Sequence, residues 1–345
     1  MDCVFQPAGE MFRCKFCGTK KKQMTRRNCT RSTGLGDTVA KITSALGIRP
    51  CGGCGSRQKT LNDWVKYRRP EPPQWISTQE LVADSYRLAG MLPAETTAIA
   101  GVPRSGMIPA AIIAAHRHLP LYTINQGTLV DVGRGSRLDS PPPLGLVVTV
   151  DDTVMTGAQL KRTRKNLSKY ANVQHAAVYV EPHARTKPDY SVAIVDAPHL
   201  LEWNLFNSTF VAGICTDMDG ILCDDPPWGE GVSTKDYETS IYNAIPRYLP
   251  RKLPVKAIVT ARQEKYRAVT EAWLERHGVL YDDLVMGPWA TVQERAEPHA
   301  ISCWKSEQFE RLRPNFFVES DKHQAIEISQ ISGGWVICPD AQMVY

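Results

Sequence analysis

No apolar run in this chain approaches the ~18 residues that a membrane-spanning helix requires, so no membrane partner is expected. The first residues lack the apolar core of a signal peptide, which makes the cytoplasm the expected compartment. Neither an internal repeat nor a long low-complexity tract is present, which argues against a repeat array or a tail-like chain. Acidic residues are scarce at one end. Residues 1–70 hold four Asp and Glu against fifteen Lys and Arg, a net of +11, whereas the remainder nets −6 within the overall +5. Cysteine thins out the same way, six of ten lying before residue 55. What remains is an ordinary globular composition, 43% apolar over 345 residues, a length that predicts two or three domains.

The basic end reads as a separate module over residues 1–69, closed by the linker-like Arg69-Pro70-Glu71-Pro72-Pro73. Cys14-x-x-Cys17 and Cys51-x-x-Cys54 stand 33 residues apart, with Cys29 between them. In a reducing compartment such clustering favours metal over disulfides. A Cys₄ site for Zn²⁺ is expected, with Cys29 as a spare or substitute ligand; an iron–sulfur cluster is the alternative. So small a segment buries little, and the metal would supply much of its stability. Lys20, Lys21, Lys22, Arg26, Arg27 and Arg31 lie between the ligands, either to meet nucleic-acid phosphates or as a solvated face. The isolated Cys3, Cys215, Cys223, Cys303 and Cys338 read as packing residues.

Residues 70–207 alternate strand-like and helix-like runs, the pattern of an α/β parallel sheet. Strands are predicted at Ala98–Val102, Leu146–Val150 and Ala176–Val180, and helices at Ile108–His116 and Gln159–Tyr170. The β-branched run Leu146–Val150 ends at two adjacent carboxylates, Asp151 and Asp152. Thr153, Thr156, Gly157 and Ala158 follow, leading into a helix. Amides and hydroxyls at a helix start form an anion site, and neighbouring carboxylates accept hydrogen bonds from a sugar diol. Upstream, Pro103-Arg104-Ser105-Gly106 is a second strand-to-helix turn, carrying a cation suited to pyrophosphate. Together these motifs resemble the PRPP-binding and pyrophosphate loops of type I phosphoribosyltransferases. The resemblance implies displacement of pyrophosphate at the ribose anomeric carbon through an oxocarbenium-like transition state. Asp151 and Asp152 would hold the ribose hydroxyls, while Mg²⁺ and Arg104 would neutralise the leaving group. Gly127–Ser140 is similar to the mobile loop that closes over PRPP, with Arg134 and Arg137 adding charge. One departure stands out. Many purine-type members have an acid or hydroxyl third after the acid pair, where this chain has Met155, which carries no proton chemistry.

Residues 208–345 begin another alternating pattern. Strands are expected at Phe210–Cys215, Ala257–Val259, Asn315–Val318 and Gly334–Cys338, with helices at Glu264–His277 and Lys322–Gln330. Asp217-Met218-Asp219-Gly220, then Thr260, Lys305 and Glu319-Ser320-Asp321, come in the order of the motifs of the haloacid dehalogenase superfamily, which the segment resembles. The resemblance implies a Rossmann-like fold, with Asp217 as nucleophile and Asp219 as general acid and base. Thr260 would bind phosphate and Lys305 would neutralise charge. Mg²⁺ would sit among Asp217, Asp219 and Glu319 or Asp321, an oxygen donor set suited to that ion. Only about 37 residues separate Gly220 from Ala257, so any cap is small and large substrates are admissible. Thr260-Ala261-Arg262 through Tyr266-Arg267, Thr270 and Trp273-Leu274 is more loosely similar to polynucleotide 3′-phosphatase domains, against the simpler reading of Arg262 and Arg267 as surface charges.

The expected fold class is therefore α/β, two Rossmann-like parallel-sheet domains preceded by a small Cys-rich zinc-type module. The expected function is a bifunctional nucleotide enzyme that joins PRPP and a nitrogenous base and removes a phosphate from a nucleotide. Two alternatives accompany it. One is a nucleic-acid repair or modification protein that binds the polymer through residues 1–69. The other is a PRPP-sensing regulator, for which Met155 speaks. The base, the phosphatase substrate and homo-oligomer formation stay open.

Overall fold

The computed structural model describes residues 72–133, 145–227, 232–297 and 299–345, together with short helical or strand positions before residue 40. The chain falls into two compact units, Met1–Pro72 and Pro73–Tyr345. In the first, strands β1 (Phe5–Ala8), β2 (Met11–Cys14) and β3 (Lys20–Lys21) pair antiparallel in the order β1-β2-β3. Cys17, Cys29, Cys51 and Cys54, like the Cys14 side chain, lie outside the described residues, as do Arg134 and Arg137.

The second unit opens with β4 (Gln74–Ile76) and α1 (Thr78–Met91). The start of α1 is a capping box: the Ser77 hydroxyl accepts the Glu80 N–H, and the Glu80 carboxylate accepts the Ser77 N–H. Next come β5 (Thr96–Gly101), α2 (Met107–Arg117), β6 (Leu121–Asn125), β7 (Thr128–Gly133), β8 (Leu146–Val154), α3 (Ala158–Asn166), β9 (Val173–Val180) and β10 (Tyr190–Ile194). Six of these strands form one sheet in the order β10-β9-β8-β5-β6-β7, parallel except for β7. Ile99, Val148, Val150 and Val178 pack against α1 and α2, while Ala98, Ala100 and Val147 pack on the other face, as alternation along buried parallel strands requires.

β11 (His199–Leu201) returns to pair with β4, and a 3-10 turn, Glu202–Asn204, follows. Then come β12 (Ile214–Thr216), α4 (Thr234–Asn243), β13 (Ala257–Gln263), α5 (Arg267–Arg276), β14 (Leu284–Gly287), α6 (Val292–Ala296), α7 (Ala300–Leu312), β15 (Phe316–Val318), α8 (Lys322–Ser332), β16 (Trp335–Cys338) and β17 (Met343–Val344). They build a second six-stranded sheet, β14-β13-β12-β15-β16-β17, parallel except for β17. Phe317 and Cys215 face Phe309 of α7 and Ile328 of α8; Ile214 and Val318 face Trp273 and Leu274 of α5. The architecture is thus mixed α/β with two parallel-dominated sheets.

Several expected boundaries shift. β8 runs on to Val154, because β9 continues alongside it after β5 has ended: Asp151 pairs with Ala177 and Thr153 with Tyr179, whereas β5 stops at Gly101 opposite Val150. Asp151 and Asp152 therefore lie within the strand. The first half of the expected loop Gly127–Ser140 is β7, hydrogen-bonded to β6. Phe210–Gly213 belongs to a 3-10 turn, and only Ile214–Thr216 is strand. Among the described residues no helix is long and apolar enough to cross a membrane.

Candidate functional site

In each sheet the chain starts at a central strand, builds outward on one side, then returns to build on the other. The crevice left at such a switch point, beyond the carboxyl ends of the strands, is where open α/β sheets bind ligands. In the first sheet it lies between β5 and β8, in the second between β12 and β15.

At the first switch point, β5 ends at Gly101, and the turn Pro103-Arg104-Ser105-Gly106 leads into α2; the Pro103–Arg104 peptide is cis. The Val102 N–H donates to the Val150 carbonyl at 2.9 Å, holding the turn beside β8. A Cβ on Gly106 would lie 2.6 Å from the Val102 carbonyl oxygen and 2.8 Å from Asp151 Oδ1 and the Val150 carbonyl oxygen. Only glycine fits there, and its absent side chain is what lets the turn press on Asp151. Burial first, and then the adjacent Asp152 carboxylate, push Asp151 up to about 8. Asp151 Oδ1 also accepts the Asp152 N–H at 3.0 Å.

Asp152 is only 3% exposed and has its own partners. Trp203 Nε1 donates to its Oδ2 at 2.7 Å, and Asn204 Nδ2 approaches the same oxygen at 3.4 Å. The Asn204 side-chain Oδ1 in turn accepts from Arg104. Trp203 stacks on Tyr179, whose hydroxyl donates to Asp84 at 2.9 Å. The 3-10 turn thus ties the acid pair to the cation of the other loop. Further along, Gly157 takes a left-handed φ of +79° and caps α3; a Cβ there would collide with the Thr186 backbone. Ala158 N–H donates to Thr156 Oγ1 at 3.3 Å, and the buried Thr153 hydroxyl has no hydrogen-bond partner among the described residues. Met155 is 54% exposed.

At the second switch point Asp217 follows β12, its N–H bonded to the Val318 carbonyl at 2.8 Å. Lys305 enters from α7. It is 1% exposed, and its ammonium donates to Asp217 Oδ2 and Glu319 Oε2, both at 2.6 Å, and to Gln324 Oε1 at 3.3 Å. Burial raises Asp217 and Glu319 above the ordinary carboxylate range, with Lys305 opposing it. For Lys305 burial acts downward, and the two carboxylates outweigh it and hold the ammonium above its usual value. Asp219 is gripped by Arg262, whose Nε lies 3.0 and 3.2 Å from its two oxygens. A cavity of about 550 Å³ opens over these groups, lined by Asp217, Asp219, Lys305 and Glu319 and also by Asp225 and Asp340.

The geometry revises several expectations. Arg262 is fully buried and paired, because Asp219 needs a cation inside the fold; it is not a surface charge. Arg267 does sit near the surface, between Glu264 and Glu271. Thr260 lies at the expected strand position, yet its hydroxyl is fully buried, accepts the Arg262 N–H at 3.2 Å, and does not line the cavity; Ala261 does. Asp321 Oδ1 caps α8 through the Gln324 N–H, whereas Glu319 is the acid that meets Lys305. Trp203, Asn204 and the Arg262–Asp219 pair escaped sequence reasoning, since no motif links segments so far apart.

Among the described residues no group of three or more His, Cys, Asp or Glu side chains is placed to hold a metal ion. Lys305 and Arg262 take up the inward oxygens. The donor chemistry still fits Mg²⁺: among the described residues the cavity is lined by six carboxylates and two basic side chains, and all those acids offer hard oxygen.

No protein-family model matches the sequence, and no curated protein matches it. Among solved structures, a purine phosphoribosyltransferase from Pyrococcus horikoshii Ot3 is 22% identical over 37% of this chain and 92% of its own, with a TM-score of 0.29. The xanthine-guanine-hypoxanthine phosphoribosyltransferase of Helicobacter pylori is 21% identical over 38% and 92%, with a TM-score of 0.32. A protein from Neisseria gonorrhoeae with bound ppGpp is 18% identical over 41% and 93%, also at 0.32. Likeness of this extent is too partial to carry an activity across to this chain.

Proposed function

We propose that the chain is a two-site nucleotide enzyme, transferring a phosphoribosyl group between PRPP and a nitrogenous base at the first switch point and hydrolysing a phosphate monoester at the second. One observation carries the reading: each parallel sheet presents carboxylates at its own switch point, within β8 in the first and directly after β12 and β15 in the second, with a cation linked to them, Arg104 through Asn204 in the first and Lys305 directly in the second. At the first site Asp151 and Asp152 would accept the ribose hydroxyls, and the amides opening α3 would take the 5′-phosphate. The turn 103–106 would receive the pyrophosphate, with Arg104 stabilising its departing charge. Asp152 must release Trp203 or share its oxygen to do so, which couples binding to the 202–204 turn.

At the second site Asp217 would attack phosphorus, breaking the ester bond and forming an aspartyl phosphate that water then cleaves. Asp219 would give a proton to the departing alkoxide and take one from the water. Lys305 holds Asp217 in place and offsets its charge, so that a phosphate dianion can approach. Asp217, Asp219 and Glu319 or Asp321 would hold Mg²⁺ once Lys305 and Arg262 yield oxygens to it, and the ion would supply a Lewis acid that draws charge off the phosphoryl oxygens. The division of the chain at residues 69 and 207, and a Zn²⁺-binding module over residues 1–69, belong to the same proposal. The test is a panel of bases and nucleotides with PRPP and Mg²⁺, scored for pyrophosphate and for phosphate. Pyrophosphate release with one base and phosphate release from one nucleotide are expected; PRPP binding without any pyrophosphate release would favour the sensing alternative that the exposed Met155 supports.

A further inference from the structure

We infer that the cleft between the two sheets, which adjoins the first crevice at Arg104 and Trp203, is a binding site for a nucleoside monophosphate. A cavity of about 400 Å³ lies where the 3-10 turn after β11 meets the segment 247–252, a volume within the ~300–1,000 Å³ of small-molecule sites. Four cations line it: Arg104 from the first sheet's loop, and Arg247, Arg251 and Lys252 from the second half. Among the described residues no Asp or Glu lines it. Arg247 is engaged by Asp340 and by the Gly220 carbonyl. Arg251 donates to the His277 carbonyl through Nε at 3.2 Å, while its terminal nitrogens and the Lys252 ammonium make no hydrogen bond among the described residues. Arg251 and Lys252 stand next to one another with no carboxylate partner among the described residues, so their charges repel, and a bound dianion relieves that repulsion.

The rest of the lining says what the anion carries. The indole of Trp203 and the phenol ring of Tyr248 both border the cleft. Tyr248 is fixed by its hydroxyl, which donates to Glu202 at 2.8 Å, and Trp203 by its bond to Asp152. One face of each ring is taken, by Tyr179 for Trp203 and by the Arg247 guanidinium for Tyr248, and the remaining faces beside the cations suit a ligand with a flat ring at one end and a phosphate at the other. This binding claim stands without the proposed chemistry, under which the occupant would be the nucleotide that one half makes and the other consumes.

Isothermal titration of the full-length protein with the four common nucleoside monophosphates, inorganic pyrophosphate and a 5′-phosphorylated oligonucleotide tests it. Wild type is compared with the double variant Arg251→Glu/Lys252→Glu. Both positions are exposed, and an unchanged circular dichroism melt checks that the variant is folded. At least one mononucleotide is expected to bind wild type more tightly than pyrophosphate or the oligonucleotide, with Kd rising at least tenfold in the double variant. The inference is overturned if no mononucleotide binds, if the double variant leaves its Kd unchanged, or if pyrophosphate or the oligonucleotide binds as well as any mononucleotide. PRPP titrated into the same two proteins separates the two claims: loss of PRPP binding in both would sink the transferase reading and leave this one standing.

Discussion

Asp151 and Asp152 are adjacent in the chain and unequal in their surroundings. Asp152 has an indole and an amide as donors, whereas Asp151 faces the Gly106 turn and carries a raised pKa. The sign of its effect on stability follows. A carboxyl that is raised when folded binds its proton more tightly in the native state, so its contribution is fully present below the unfolded value of 3.8 and is lost as pH rises through about 8. His175, lowered to about 4 mainly by burial, acts in the opposite sense and loses its contribution as pH falls through that value. The difference between wild type and Asp151→Asn therefore isolates Asp151: urea midpoints across pH 4 to 8 should fall more steeply for wild type, and parallel curves would refute the assignment. Lys305 supports a second prediction. Lys305→Met leaves Asp217 and Glu319 buried without their shared cation, and a loss of about 3–5 kcal/mol is expected in urea titrations at neutral pH. At this scale the sequence showed the acids, because they end apolar runs. Lys305, 88 residues from Asp217, was reached only through the order of motifs, and the pairing of Arg262 with Asp219, 43 residues away, stayed hidden because burial of a charge has no local signature.

Elements were legible where one physical cause dominates. The β-branched run at 146–150 made β8 unmistakable, but its true end depends on how long β9 stays paired, which is a property of the neighbour. α1 was not among the expected helices, although Ser77 and Glu80 form a readable start and Leu81, Leu88 and Ala89 share its buried face, which Asp84 and Ser85 interrupt. The two helix starts should respond differently to alanine. Ser77→Ala removes the hydroxyl that accepts the Glu80 N–H and should cost about 1 kcal/mol. Gly157→Ala adds a Cβ at positive φ against the Thr186 backbone and should cost more than the ~1 kcal/mol of an ordinary cap loss. It should also weaken PRPP binding at the start of α3. Denaturant midpoints for both variants, with PRPP titration for the second, check the ranking.

The two sheets meet in one apolar core. Trp75, Leu200, Leu205 and Phe206, from segments that flank the first sheet, pack with Met218, Ile221, Ile337 and Val344 around the second. The Glu202 carboxylate bonds both the Thr78 N–H at 2.6 Å and the Tyr248 hydroxyl at 2.8 Å. A structure joined this way unfolds as a unit, yet its two switch points use different strands and share no acid. Stability should therefore be common to the two proposed activities while chemistry is separable. Asp217→Asn keeps the side chain's shape and an acceptor for Lys305 but removes the nucleophile. It should lower phosphate release on the order of a thousandfold or more and leave pyrophosphate release within about twofold. Asp152→Asn keeps its size and an oxygen for Trp203 but weakens the grip on the ribose hydroxyls. It should raise the KM for PRPP at least about tenfold, the size of one charged hydrogen bond, and spare phosphate release. If both variants lost both activities in parallel with intact folding, the two crevices would have to be parts of one active site, and the two-site reading would fall.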